Sequence, residues 1–123
     1  MKALKDRLLN LNFVLDNEFL DKYIDLINDN LETQKLKSKT QMHHAIPVFY
    51  YKKQDSINSR EARKLADLDA NNIIVNLTHA NHILAHWYLF KCVNSDYYRY
   101  VSSYALFYML NITELPEEES DII

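Results

Sequence analysis

Asn72-Ile73-Ile74-Val75-Asn76-Leu77-Thr78-His79-Ala80-Asn81-His82-Ile83-Leu84-Ala85-His86-Trp87 changes its periodicity halfway along, and that change decides the fold. Ile73 to Leu77 is a short run dominated by branched aliphatics, the composition of a buried strand. Thr78 offers the side-chain oxygen that caps a helix start. Beyond it Ile83, Leu84, Trp87, Tyr88, Phe90 and Lys91 fit a helix from about His79 to Val93. A strand therefore feeds directly into a helix that carries three histidines.

Upstream, Met42-His43-His44-Ala45-Ile46-Pro47-Val48-Phe49-Tyr50-Tyr51 combines aromatic and β-branched residues with a proline that no helix interior accepts. It reads as a short strand or extended hairpin arm, paired with 73–77 and packed on the 79–93 helix. Between the two arms, Ser59 with Ala62, Leu65, Ala66 and Leu68 permits a short helix. Phe19, Leu20, Tyr23, Ile24, Leu26, Ile27 and Leu31 recur at three-and-four spacing after Asp16-Asn17-Glu18, which predicts an amphipathic helix to about Glu32. Leu4, Leu8, Leu9, Leu11 and Val14 suggest a shorter helix before it, and Thr33 to Gln41 is a polar, basic connector. Ser95-Asp96 starts a last helix through Leu110. The expected class is α+β, predominantly helical, with no internal repeat.

The chain has 123 residues, which suits one domain over 1–111 followed by an acidic tail over 112–123. Its 48% of hydrophobic residues against 25% charged argues against a disordered or fibrous protein. No apolar run approaches the ~18 residues that span a bilayer, and the start lacks a secretory core, so a cytoplasmic protein without a membrane partner is expected. Cys92 is the lone cysteine, which excludes an internal disulfide and a thiolate-rich metal site. There is no glycine at all, so a P-loop or a dinucleotide fingerprint is absent.

The net charge of −3 hides an uneven distribution. Glu114, Glu117, Glu118, Glu119 and Asp121 load the tail, while Lys35 to Lys64 hold eight bases against Asp55 and Glu61. That basic stretch encloses the His43-His44 motif and reads either as a surface for a nucleic-acid partner or as an ordinary solvated face.

Four of the five histidines fall in two places, His43-His44 and His82-x-x-x-His86, with His79 one turn earlier. Residues four apart on a helix share a face, so two imidazoles there can grip one ion while a third ligand comes from elsewhere. The His43-His44 arm can supply it. Neighbours on a strand face opposite ways, so one ring can bind while the other reacts, and imidazole is the natural base near neutral pH. His79 by itself reads as a satisfied core residue and Cys92 as a small hydrophobe. Trp87, Tyr88 and the run Tyr97, Tyr98, Tyr100, Tyr104, Phe107 and Tyr108 read, at helical spacing, as core and helix–helix packing.

The order His43-His44-Ala45-Ile46-Pro47, then Asn72 to Thr78, then His82-Ile83-Leu84-Ala85-His86-Trp87 resembles the HNH or His-Me-finger endonucleases of phages and mobile elements, over about Phe19 to Cys92. The resemblance implies a ββα-metal motif over about 42–93: a two-stranded hairpin, then a helix, with one divalent ion (Mg2+, Mn2+, Zn2+ or Ni2+) between them. It implies His43, His82 and His86 as metal ligands, His44 as the general base that activates water, and Asn72 as the asparagine that orients the base, one residue earlier than the family's spacing. Lys52, Lys53, Arg60, Arg63 and Lys64 would then hold the DNA backbone, making the chain a metal-dependent endonuclease. Val48 after Pro47, the displaced Asn72 and the acidic tail leave open an alternative: a non-catalytic binding or inhibitor protein on the same scaffold, with a protein partner.

Overall fold

A computed structural model describes residues 2–11, 14–15, 17–32, 40–55 and 58–111, and of 32, 53–55, 109 and 111 the backbone alone. The 112–123 tail and most of the 33–41 connector lie outside the described residues. Six helices surround one two-stranded antiparallel sheet among these residues: α1 (Lys2–Leu9), α2 (Glu18–Glu32), β1 (Gln41–His44), α3 (Val48–Asp55), α4 (Ser59–Leu68), β2 (Ile74–Leu77), α5 (His79–Cys92) and α6 (Asp96–Asn111). The architecture is α+β and mostly helical. None of the described helices is long and apolar enough to cross a membrane.

Local chemistry accounts for the helix starts. Asn17 turns its carboxamide oxygen onto the Phe19 and Leu20 N–H groups at 2.9 and 3.1 Å, and Glu18 and Asp21 sit in the first turn of α2, against its positive end. Asn58 does the same for Glu61 N–H at 2.9 Å, and Thr78 accepts from Asn81 N–H at 3.2 Å to start α5. The sheet pairs Gln41 with Leu77, His43 with Val75 and His44 with Ile74, and Ala45 N–H donates to Ile73 at 2.8 Å beyond its end.

The segment 42–51 is only half extended, which corrects the expectation of a continuous strand arm. β1 ends at His44, and Val48 to Tyr51 open α3. Pro47 lies just ahead of the helix, and its carbonyl accepts from Tyr50 N–H at 3.0 Å. A proline is excluded from a helix interior but tolerated where the first-turn N–H groups have no intrahelical partner anyway. The bend lets Tyr50 turn inward, where its ring meets that of Tyr98 at 5.1 Å in an edge-on contact.

The core joins Leu4 and Leu8 of α1, Leu20, Tyr23 and Ile27 of α2, Val75 and Leu77 of β2, and Ala85 and Leu89 of α5. Helix α5 packs against both α2 and α6, and α3 and α4 pack on each other through Ala62 and Ala66. A hydrogen bond from Leu15 N–H to the Cys92 carbonyl at 2.9 Å ties the N-terminal region to the end of α5.

Helix α6 departs from the core assignment of its aromatics. Tyr98 and Ser102 are buried, but Tyr97, Tyr100, Tyr104, Phe107 and Tyr108 are exposed. At 3.6 residues per turn these five rings share one face about 100° wide, opposite the face that packs inward. Helical spacing establishes that aromatics share a face, not that a partner element covers it.

Candidate metal centre

Pairing of β1 with β2 and docking of α5 against the sheet bring His43, His82 and His86 together. All three are buried, and each offers a ring nitrogen within 4.8 Å of the others. Among the described residues this is the one cluster of three or more possible metal-ligating side chains. The His82 and His86 Nε2 atoms face each other at 3.2 Å across one helical turn, and the His43 ring meets those of His82 and His86 edge-on at 5.1 and 5.2 Å. The close approach of one sequence-distant ring to an i, i+4 pair fulfils the ligand geometry that the spacing implied.

Burial holds all three rings neutral. The proton affinity of His43 is pushed well below the ordinary value by burial first, and then by the neighbouring His86, His82 and His44. His82 is lowered to about 3 by burial, with His86 and His79 adding to it, and burial alone takes His86 to about 4. Three imidazoles in the deprotonated form that a cation needs, with no carboxylate in the cluster, fit a borderline transition ion such as Zn2+ or Ni2+ better than Mg2+, which prefers oxygen ligands. The 3.2 Å Nε2 to Nε2 separation also suits such an ion. Tetrahedral bonds of about 2.0–2.1 Å put neighbouring ligand atoms about 3.3–3.4 Å apart.

Outer partners hold two of these rings. Tyr23 donates its hydroxyl hydrogen to the Ala45 carbonyl at 2.6 Å and lies 2.8 Å from His43 Nε2. Gln41, buried beside them, places Oε1 2.7 Å from His82 Nδ1 and Nε2 3.0 Å from His79 Nδ1. Neither residue stood out in the sequence. Gln41 had a signal, because it lies two residues before His43 and so shares that residue's face of β1. Tyr23 sits in the apolar stripe of α2, where nothing separates a core tyrosine from one whose hydroxyl has a task.

His44 lines the same cleft and binds Asp67 of α4, with Nε2 2.7 Å from Oδ1. Asp67 is 48% exposed at its side chain, so the pair sits at the solvent edge of the buried cluster. The cleft, about 250 Å³, is lined by His43, His44, His82 and His86 together with Phe49, Arg63 and Tyr108 among others. Of the expected DNA-backbone contacts, Arg63 alone lines this cleft. Arg60 and Lys64 are exposed elsewhere on α4, Lys52 donates to Ser59 Oγ at 3.1 Å, and the Lys53 side chain lies outside the described residues.

Asn72 does not hydrogen-bond His44. Its Oδ1 accepts from Ile46 N–H at 2.7 Å and from Ile73 N–H at 2.9 Å, while Nδ2 donates to the Ile46 and Ala66 carbonyls, both at 3.1 Å. This carboxamide staples the turn after β1 to the end of α4 and the start of β2. It thus sets the path of the chain that carries His44, and the side chain that orients the ring is Asp67. Asn72→Ala is expected to strip partners from the Ile46 and Ala66 backbone and to cost about 2–4 kcal/mol, measured by urea unfolding. A change below about 0.5 kcal/mol would mean that the turn holds without it.

Comparison with protein-family models, with curated proteins and with solved structures finds no match for this chain. The function is therefore argued from the site alone.

Proposed function

We propose that this chain is a metal-dependent endonuclease of the HNH, ββα-metal type, hydrolysing DNA phosphodiester bonds at the cleft between β1, α4 and α5. One observation carries this reading: a three-histidine cluster and a separately oriented His–Asp pair face the same cleft from adjacent residues of one strand. Three ligands from the protein leave coordination positions for substrate and water, the arrangement of a reactive centre rather than a closed structural one. A bound divalent ion would supply Lewis-acid stabilisation of the charge that develops on the phosphate.

The chain's own residues do the rest. A carboxylate can only accept, so the Asp67 contact fixes the proton of neutral His44 on Nε2 and leaves Nδ1 as the lone-pair nitrogen. Nδ1 takes the proton from the attacking water while Asp67 stabilises the imidazolium that forms. Arg63, which lines the same cleft, suits a phosphate oxygen, which it can bind through two N–H groups.

The test is plasmid cleavage by the full chain with Mg2+, Mn2+, Zn2+ or Ni2+, alongside calorimetric metal titration. Nicking or linearisation that vanishes with chelator and in His82→Ala is the expected result. Metal binding without cleavage under any of the four ions would instead favour a binding module on this scaffold. The five exposed rings of α6 are the observation on that side.

A further inference from the structure

The hydrogen bonds around the three histidines assign a proton to each ring, and the three assignments differ in kind. The Tyr23 hydroxyl has one hydrogen, and the Ala45 carbonyl at 2.6 Å takes it. Its oxygen can then only accept from His43, so His43 carries its proton on Nε2 and keeps the lone pair on Nδ1. Gln41 directs its carbonyl oxygen at His82 Nδ1 and its amide nitrogen at His79 Nδ1. His82 therefore carries its proton on Nδ1 and keeps the lone pair on Nε2, the opposite tautomer to His43. His86 has no such partner: its Nδ1 is buried and unbonded, and its Nε2 lies 3.2 Å from the His82 lone pair. With no ion present, His86 must donate an Nε2 proton into that lone pair, because two lone pairs at this distance repel.

We propose that the centre is preset at two rings and switched at the third: Tyr23 fixes His43 to offer Nδ1, Gln41 fixes His82 to offer Nε2, and His86 exchanges its Nε2 proton for one on Nδ1 when a divalent cation enters. The exchange conserves the proton count, since His86 is neutral before and after and solvent carries the proton between its nitrogens. Tyr23 and Gln41 are positioning residues. They act through the ring atom remote from the ligand nitrogen, as outer partners of metal-bound histidines generally do. The inference rests on the metal-centre reading and does not need the chain to cut DNA.

The experiment is long-range 1H–15N correlation on the full chain with 15N-labelled histidine, first in excess chelator and then with Zn2+. In chelator, His43 and His86 are expected with the proton on Nε2 and His82 with it on Nδ1. On adding Zn2+, His43 and His82 keep their tautomers and His86 alone reverses. Gln41→Leu is expected to mix the His82 tautomers and weaken Zn2+ binding by about 10–100-fold, whereas Gln41→Glu, which still accepts from Nδ1, restores both. Tyr23→Phe probes the His43 lock in the same way should Gln41→Leu fail to fold. Finding His82 protonated on Nε2 in the chelated wild type, or His86 unchanged at saturating Zn2+, overturns the proposal. Failure of Zn2+ to bind overturns the switch together with the metal reading. The assigned tautomers with tight Zn2+ binding and an uncut plasmid support it while sinking only the hydrolase.

Discussion

His44→Ala is expected to slow DNA cleavage by ~10²–10⁴, the usual contribution of a positioned general base, and to leave Zn2+ affinity within a few-fold of wild type. The two effects separate because His44 is held by Asp67 at 2.7 Å and stands outside the His43, His82, His86 cluster. Losing a ligand behaves differently. His43→Ala or His82→Ala should weaken metal binding first, and raising the metal concentration should recover part of the activity, since mass action opposes the loss of a ligand. No metal concentration replaces a missing proton acceptor. Asp67→Asn keeps the shape but not the charge that stabilises the imidazolium, so it should fall between wild type and His44→Ala in turnover with unchanged affinity. Single-turnover cleavage and calorimetric titration of the same variants decide this. Equal cleavage by His44→Ala and wild type at every metal concentration would remove His44 from the chemistry.

What the sequence disclosed about this site follows its physics closely. Thr78 as a cap, the strand before it and the paired histidines after it are local patterns, and local patterns fix local structure. The i, i+4 spacing of His82 and His86 places both rings on one face whatever the tertiary contacts, and the double histidine upstream points to the third ligand. Pro47 misled because its prohibition holds in a helix interior while its tolerance holds one residue earlier, and the sequence does not say which applies. Asp67 stayed hidden because its bond to His44 spans 23 residues and depends on how α4 docks. Its side chain, half exposed on a charged helix, looked like any solvated acid. The α6 aromatics lie exposed although their spacing is that of a packed face, because periodicity gives the face and not its neighbour. Asn72 lies beside the site but binds backbone and not His44, since a carboxamide that binds four backbone groups and one that binds an imidazole look the same in a sequence.

The metal-free chain is expected to lose stability steeply as the pH falls from about 6.5 toward 4, and to regain it when Zn2+ is added at the upper end of that window. The sign follows from the buried histidines. In the unfolded chain a histidine takes up its proton near 6.5, whereas in the folded protein His82 and His86 do so only at about 3 and about 4, and His43 well below its ordinary value. Between those limits the unfolded state binds more protons, so each step down in pH favours it. Their contribution is fully present above 6.5 and is lost progressively as the pH falls toward the folded values. For His86 alone the whole interval amounts to about 3 kcal/mol, a large share of the ~5–15 kcal/mol that holds a small domain folded. Carboxylates act lower on the scale. Burial alone would raise Asp69, but the Tyr51 hydroxyl, the Asn71 N–H and Arg7 outweigh it and hold the carboxyl below 3.8, so its share is lost only in stronger acid. Urea unfolding at intervals from pH 7.5 to about 4.5, with chelator present, measures the slope, which approaches ~1.4 kcal/mol per pH unit for each ring protonated on unfolding. His86→Leu should remove one proton from that slope. A stability flat over this range would mean that the three rings are protonated or solvated in the folded chain, and the cluster would then lack the neutral nitrogens that a metal ion needs.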